Sequence, residues 1–337
     1  MDDSRRRFVS ALSAMGTLAG LSAADVHALP PVPRGPIERQ ILELLASLPG
    51  QHALYMHSSG RGRDFVVEHN PNAALSCGSA FKAFVLLEFL RMVDNGEAKL
   101  DELLPVDSTI WSLSSPVLTP WPGAVSGQID AQTAMDAMIS RSDNTATDML
   151  LKRVGVARVR DFLASIGSTG RIPDSTRSFF GYIFGAPDWQ TLTWERVLEL
   201  DASDPEHPNP VLNDVSTMAV SPRDFVSFYS RALQGEFFNH PQLVPAFRGV
   251  LALSEAIPRA MPLGVNPFIK GGSIDFNGDH ALCLAGGVFI PPARWVYFGM
   301  TLNWTDAEAG TVKEVGPQFG AVVTQIFTQL RDRLGNG

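Results

Sequence analysis

The chain has 337 residues, of which 45% are hydrophobic and 18% charged, enough for one large domain or two intertwined subdomains with a substantial core. Its net charge of −8 and only five lysines argue against a nucleic-acid surface, which needs clustered Lys and Arg. Two cysteines, Cys77 and Cys283, and seven histidines without ligand spacing give no metal signature, so no metal and no cofactor are expected. The two cysteines read as buried thiols rather than as a disulfide.

The first 28 residues carry a basic start, a weakly apolar middle and a small-residue end, "SRRRFVSALSAMGTLAGLSAADVHA". Ser4, Arg5, Arg6 and Phe8 fit a twin-arginine export signal with cleavage after Ala28, which predicts a periplasmic or secreted mature protein without stable membrane insertion. A Pro-rich linker, 29–36, follows.

Apolar residues at 37, 41, 44, 45 and 48 predict an amphipathic helix. "HALYMHS" and "DFVVEH" flank the Gly-rich "SGRGR" and predict a β-hairpin. Strand patterns recur at 267–275, 281–290 and 294–304, and helical spacing returns over 315–334. Strands from both ends of the chain with helices between them predict an α/β (α+β) fold: an antiparallel sheet flanked by helices, with an all-helical insertion. The sheet-containing lobe would comprise 37–74 and 220–337, and the helical lobe 75–219. Within the latter, 171–214 is acidic and proline-rich, and reads as a long irregular loop.

Three short motifs carry chemistry. In "GSAFK", Ser79 and Lys82 lie three apart on one face at a helix start, where the helix dipole favours a developing oxyanion. A desolvated Lys82 could take the Ser79 proton; otherwise Lys82 is a lysine snorkelling from a helix end. "SDN", Ser142 to Asn144, precedes an apolar helical run and reads either as a helix N-cap or as a proton relay beside an amide-binding asparagine. Lys270, in "FIKGGSIDF", is either an exposed strand lysine or a cation for a substrate carboxylate, with Gly271 and Gly272 letting substrate lie along the strand.

In this order the motifs resemble the S-x-x-K, S-D-N and K-T-G set of class A β-lactamases and penicillin-binding proteins. "SRSDNTATDMLLKRVG" and "VSTMAVSP" are similar to that family's segments, and the resemblance spans roughly residues 36 to 335. It implies a serine hydrolase acting on β-lactams, a β-lactamase working as a monomer on small molecules. Ser79 would be the nucleophile, Lys82 its activator and Ser142 a proton relay. Asn144, Lys270, Gly272 and Ser273 would contact substrate, with the N–H groups of Ser79 and Ser273 forming the oxyanion hole. The family's third motif has a threonine where this chain has Gly271, which weakens the expected hold on a penicillin carboxylate. For the deacylating glutamate, "WERVLEL" offers Glu195, with Glu199 where the family has asparagine. A different alignment places "RIPDSTRSFFGY" in that loop, with Asp174 or Ser175 near the site and no glutamate. Two alternatives follow: a serine esterase or D,D-peptidase-like hydrolase, or a penicillin-binding module that is acylated once.

Overall fold

The computed structural model describes residues 35–60, 64–118, 127–203 and 205–334. The signal-like segment 1–28, most of the 29–36 linker and the centre of the "SGRGR" turn lie outside the described residues. No helix among the described residues is long and apolar enough to cross a membrane.

In chain order the elements are α1 (Pro36–Leu45), β1 (Gln51–Gly60), β2 (Val66–His69), β3 (Leu75–Ser76), a single 3-10 turn (Gly78–Phe81) and α2 (Lys82–Asp94). There follow β4 (Leu103–Val106), β5 (Gly127–Asp130), α3 (Ala131–Ser140), α4 (Asn144–Val154), α5 (Val156–Ser165), α6 (Thr176–Ile183) and α7 (Trp194–Asp201). The chain closes with β6 (Ala219–Val220), α8 (Pro222–Ala232), α9 (Leu243–Leu251), α10 (Ile257–Ala260), β7 (Asn266–Phe276), β8 (Asp279–Ile290), β9 (Arg294–Thr305) and α11 (Val312–Leu334).

Five strands form one antiparallel sheet in the order β2-β1-β9-β8-β7, so both ends of the chain build it and β7 is an edge. Its long strands are apolar on both faces because both faces are covered. Leu54, Met56, Leu284, Val288, Val296, Phe298, Met300 and Leu302 pack with Ile41 and Leu45 of α1 and with Phe319, Val323, Ile326 and Phe327 of α11. Ala281, Cys283, Ala285, Ile274, Phe276 and Tyr297 face the other way, against α2 and α8. The expected antiparallel sheet with flanking helices is therefore present, with strand ends displaced by one or two residues.

The chain leaves the main sheet after β2 and rejoins it at β7; between them the short strands β3 and β6 pair antiparallel as a two-stranded sheet of their own, with Cys77 N–H bonded to the Met218 carbonyl at 2.8 Å. That clip fixes the backbone two residues before Ser79. The stretch 171–214, expected to be irregular, contains α6 and α7. Ser175 caps α6 with a capping box, and Thr193 caps α7. Proline-rich composition misled there because the caps and the apolar faces (Phe179 and Ile183; Trp194 and Val197) occupy short windows between the prolines.

Candidate active site

Ser79 sits in the 3-10 turn that opens α2, half-buried, and its hydroxyl has no hydrogen-bond partner among the described residues. The edge strand β7 is pressed against this turn. A Cβ on Gly272 would stand 2.1 Å from the Cys77 carbonyl oxygen and 2.6 Å from the amide nitrogens of both Ser79 and Ala80, so only glycine allows the approach. From the other side, Gly78 adopts φ +49°, and a Cβ there would lie 2.7 Å from the Ser273 nitrogen. The backbone nitrogens of Ser79 and Ser273 are thus brought to one place, beside an exposed face of the nucleophile candidate. Two N–H groups so placed can hold a developing negative oxygen, aided by the positive helix end.

Lys82 is the first residue of α2, and its side chain is 0% exposed. It is neither a snorkelling nor an idle lysine. Its ammonium donates to the Ser142 carbonyl (2.6 Å), the Asn144 side-chain oxygen (2.6 Å) and, more weakly, the Ser142 hydroxyl (3.3 Å). Desolvation and then the charge of Lys270 hold its pKa well below the ordinary lysine range. Lys270, on β7 and 1% exposed, donates to the same Ser142 hydroxyl at 3.0 Å and to the Gly271 carbonyl at 2.8 Å. Burial lowers its pKa to about 8, and the charge of Glu255 partly opposes that shift. One hydroxyl therefore joins two buried amines.

The S-D-N triplet satisfies both of its sequence readings at once. Asp143 is a helix cap: its carboxylate accepts from Ala146 N–H and from the N–H groups of Val117 and Leu118, each at 2.8 Å. With Asp143 so anchored, Ser142 takes the left-handed φ of +55°. The hydroxyl of Ser142 then lies between the lysines. Asn144 is fixed at both ends, accepting from Lys82 and donating to the Leu113 carbonyl at 2.8 Å.

Ser79, Lys82, Ser142, Asn144, Lys270, Gly272 and Ser273 thus converge, the Ser273 side chain itself being exposed. Glu195 does not join them. It lies in the first turn of α7, exposed, because Trp194 and Val197 take the buried face of that helix, and its charge acts on Arg177 rather than on Lys82. Asp174 pairs at the surface with Arg160 at 2.9 Å, and Ser175 is consumed as the α6 cap. Among the described residues, no carboxylate lies within hydrogen-bond distance of Lys82 or the Ser79 hydroxyl.

Sequence reading missed Asp148. Buried on α4, one turn past Asn144, it accepts the N–H groups of Thr176 (2.6 Å) and Arg177 (3.0 Å), and burial raises its pKa to about 6. Next to it the hydroxyls of Thr176 and Ser112 bond at 2.8 Å, and those of Ser115 and Thr145 at 2.7 Å. This buried network ties the start of α6 to the segment covering Asn144. The signal was the Asn144 to Asp148 spacing of one helical turn, with both polar ends on one helix face.

The sequence profile of the Beta-lactamase enzyme family matches residues 36–285. No curated protein matches the chain by sequence. Among solved structures, a β-lactamase from Chitinophaga pinensis superposes with a TM-score of 0.66 at 18% identity, covering 89% of this chain and 100% of that one. The TLA-3 extended-spectrum β-lactamase gives 0.65 at 16% identity, over 88% and 98%. PBP-A gives 0.64 at 18% identity, over 90% and 100%. A mutant of PBP-A has been captured as an acyl-enzyme complex with penicillin G, with a TM-score of 0.62 at 19% identity over 87% and 96% of the chains. At these identities the likeness concerns the fold, and the match to the family profile over most of the chain adds what the superpositions alone do not: the chain belongs to the Beta-lactamase enzyme family.

Proposed function

We propose that this protein is a serine acyl-transfer enzyme that opens β-lactams through an acyl-enzyme on Ser79 and releases the acyl group slowly. The observation that carries the reading is the Lys82–Ser142–Lys270 chain of buried donors beside an unpartnered serine hydroxyl. Lys82, whose charged form desolvation and the neighbouring Lys270 cation disfavour, takes the Ser79 proton as the oxygen attacks the lactam carbonyl. The N–H groups of Ser79 and Ser273 stabilise the tetrahedral oxyanion. When the C–N bond breaks, the nitrogen takes a proton from the Ser142 hydroxyl, which is resupplied by the lysine ammonium groups bonded to it. Asn144 keeps Lys82 aimed, and its second amide hydrogen is available to a substrate carbonyl.

Slow release is part of the reading because hydrolysis needs a base that activates water, and none of the carboxylates expected for that role reaches the site. The neighbourhood of PBP-A, alongside that of the β-lactamases, is consistent with it. An esterase reading is favoured by one observation: Gly271 offers no hydroxyl to a lactam carboxylate. Export through a twin-arginine signal and action as a monomer accompany the proposal. Incubation with a fluorescent penicillin, followed by peptide mapping, tests it. The label should sit on the peptide containing Ser79 and be absent from Ser79→Ala, and a label on any other residue would end the nucleophile assignment.

A further inference from the structure

Asp148, 5% exposed on α4, stands one helical turn past Asn144 and gives each of its oxygens to a different N–H group: one accepts from Thr176 at 2.6 Å, the other from Arg177 at 3.0 Å. These are the first two N–H groups of α6, which have no partner within their own helix. Both residues so held reach with their side chains to the segment that covers Asn144. The Thr176 hydroxyl donates to the Ser112 hydroxyl at 2.8 Å, and the Arg177 guanidinium donates to the carbonyls of Ser108 and Trp111, each at 2.7 Å. One residue after Ser112, the Leu113 carbonyl accepts from the Asn144 amide at 2.8 Å, and the Asn144 oxygen accepts from the Lys82 ammonium at 2.6 Å. The far end of the same segment is pinned separately, because Val117 and Leu118 donate to Asp143.

On the acyl-transfer reading above, we infer that Asp148 is a positioning residue for acylation: as a carboxylate it sets α6 against residues 108–113 and so fixes the Asn144 amide that aims Lys82. A carboxylate suits the place because each oxygen accepts one N–H. A protonated carboxyl turns its hydrogen toward one of those donors and leaves a buried N–H unpaired, which loosens the start of α6 and, through Thr176 and Ser112, the carbonyl that holds Asn144. Burial raises the Asp148 pKa to about 6, so both states are populated near neutral pH. Arg177 of α6 is the cation facing it and favours the carboxylate, while Lys82 of α2 lies beyond Asn144. The arginines of α5 are spent elsewhere, Arg158 on Glu88 and Glu97 and Arg160 on Asp174. Asp136 of α3 is bonded to Gln132, and Asp143 at the head of α4 is turned to N–H groups of its own.

The test compares second-order acylation constants for penicillin G, read by intact mass from pH 5 to pH 7.5, in the parent protein, Asp148→Asn, Thr176→Val and the double variant. Asparagine offers one acceptor oxygen and one donor, as the protonated carboxyl does. Asp148→Asn should therefore lie about tenfold below the parent at pH 7.5 and meet it at pH 5, where both side chains are neutral. Thr176→Val keeps the carboxylate but cuts the contact with Ser112. It should show the same deficit at pH 7.5, closing likewise toward pH 5, and the double variant should be no slower than either single one. Because Thr176 carries no charge, equal deficits separate positioning from an electrostatic effect of Asp148 on Lys82. Deficits that add in the double variant, or that stay the same at every pH, would overturn the inference while leaving Ser79 acylation standing. If Asp148→Asn fails to fold, Thr176→Val decides alone: a deficit unchanged from pH 7.5 to pH 5 overturns the inference. A parent protein that stays unlabelled at every pH would overturn the acyl-transfer reading and this inference with it.

Discussion

Ser142 has no side-chain length with which to reach anything distant, yet both buried amines reach it. Its position between them depends on a left-handed backbone and on the Asp143 cap beside it. Removing the hydroxyl leaves the lysines in place but cuts the path from them to a leaving nitrogen. Ser142→Ala is therefore expected to lower the acylation constant by about two orders of magnitude with little loss of folding stability. The two amines also set the pH response. Acylation should rise with pH as Lys82 loses its proton, well below the ordinary lysine range, and fall as Lys270 loses its own near about 8. In Lys270→Ala the repulsion between like charges is gone, so Lys82 holds its proton to higher pH. The acid limb of the residual activity should move upward and the alkaline limb disappear; an acid limb that stays put would separate the two lysines electrostatically. Both limbs are read from acylation constants measured across pH.

At the level of elements, the site is where β7, the 3-10 turn and the α3–α4 junction meet. The contact between β7 and the turn is backbone to backbone, which is why Gly272 carries no side chain. Gly272→Ala would drive a methyl into the Cys77 carbonyl and the Ser79 amide, and should cost about 3 kcal/mol in chemical denaturation and abolish acylation. Ser79, Lys82, Ser142, Asn144 and Lys270 were legible in the sequence because each lies in a short motif whose polar residues interrupt an apolar run. The strands were legible for the same reason in reverse: β8 and β9 are apolar on both faces, and such runs end only at turns. Other features were not local. Glu195 has the right residue type and neighbours, but which way α7 faces is decided by Trp111 and Leu113, more than seventy residues earlier, packing on Trp194 and Val197. Asp148 lies six residues past Ser142 in "SRSDNTATDMLLKRVG", and only the backbone of α6 gives it a purpose.

For the whole molecule, the sheet is the wall between two apolar layers, and its far end is closed by an ion-paired imidazole rather than by packing alone. His280, buried on β8 and stacked on Trp304 at 5.2 Å, bonds Asp275 of β7 at 2.5 Å through one ring nitrogen and Asp306 beyond β9 at 2.7 Å through the other. Burial opposes its charge, but the two carboxylates outweigh it and raise the pKa. A histidine whose folded pKa is raised contributes stability that is fully present below the unfolded value and lost as pH rises through the folded one. Thermal unfolding midpoints should therefore fall as pH rises above the ordinary histidine range, and His280→Gln should flatten that slope. A slope unaltered in the variant would place the pH dependence elsewhere. On the proposed mechanism, Ser79, served by two lysines through one hydroxyl, would take an acyl group with no nearby carboxylate to release it. The most direct measurement is a time course of intact-protein mass after mixing the protein with a β-lactam, taken from seconds to hours beside Ser79→Ala. A single adduct that forms, persists after free drug is removed and is missing in Ser79→Ala is the predicted result. An adduct that Ser79→Ala still forms, or one that vanishes within seconds as drug is consumed, would contradict it.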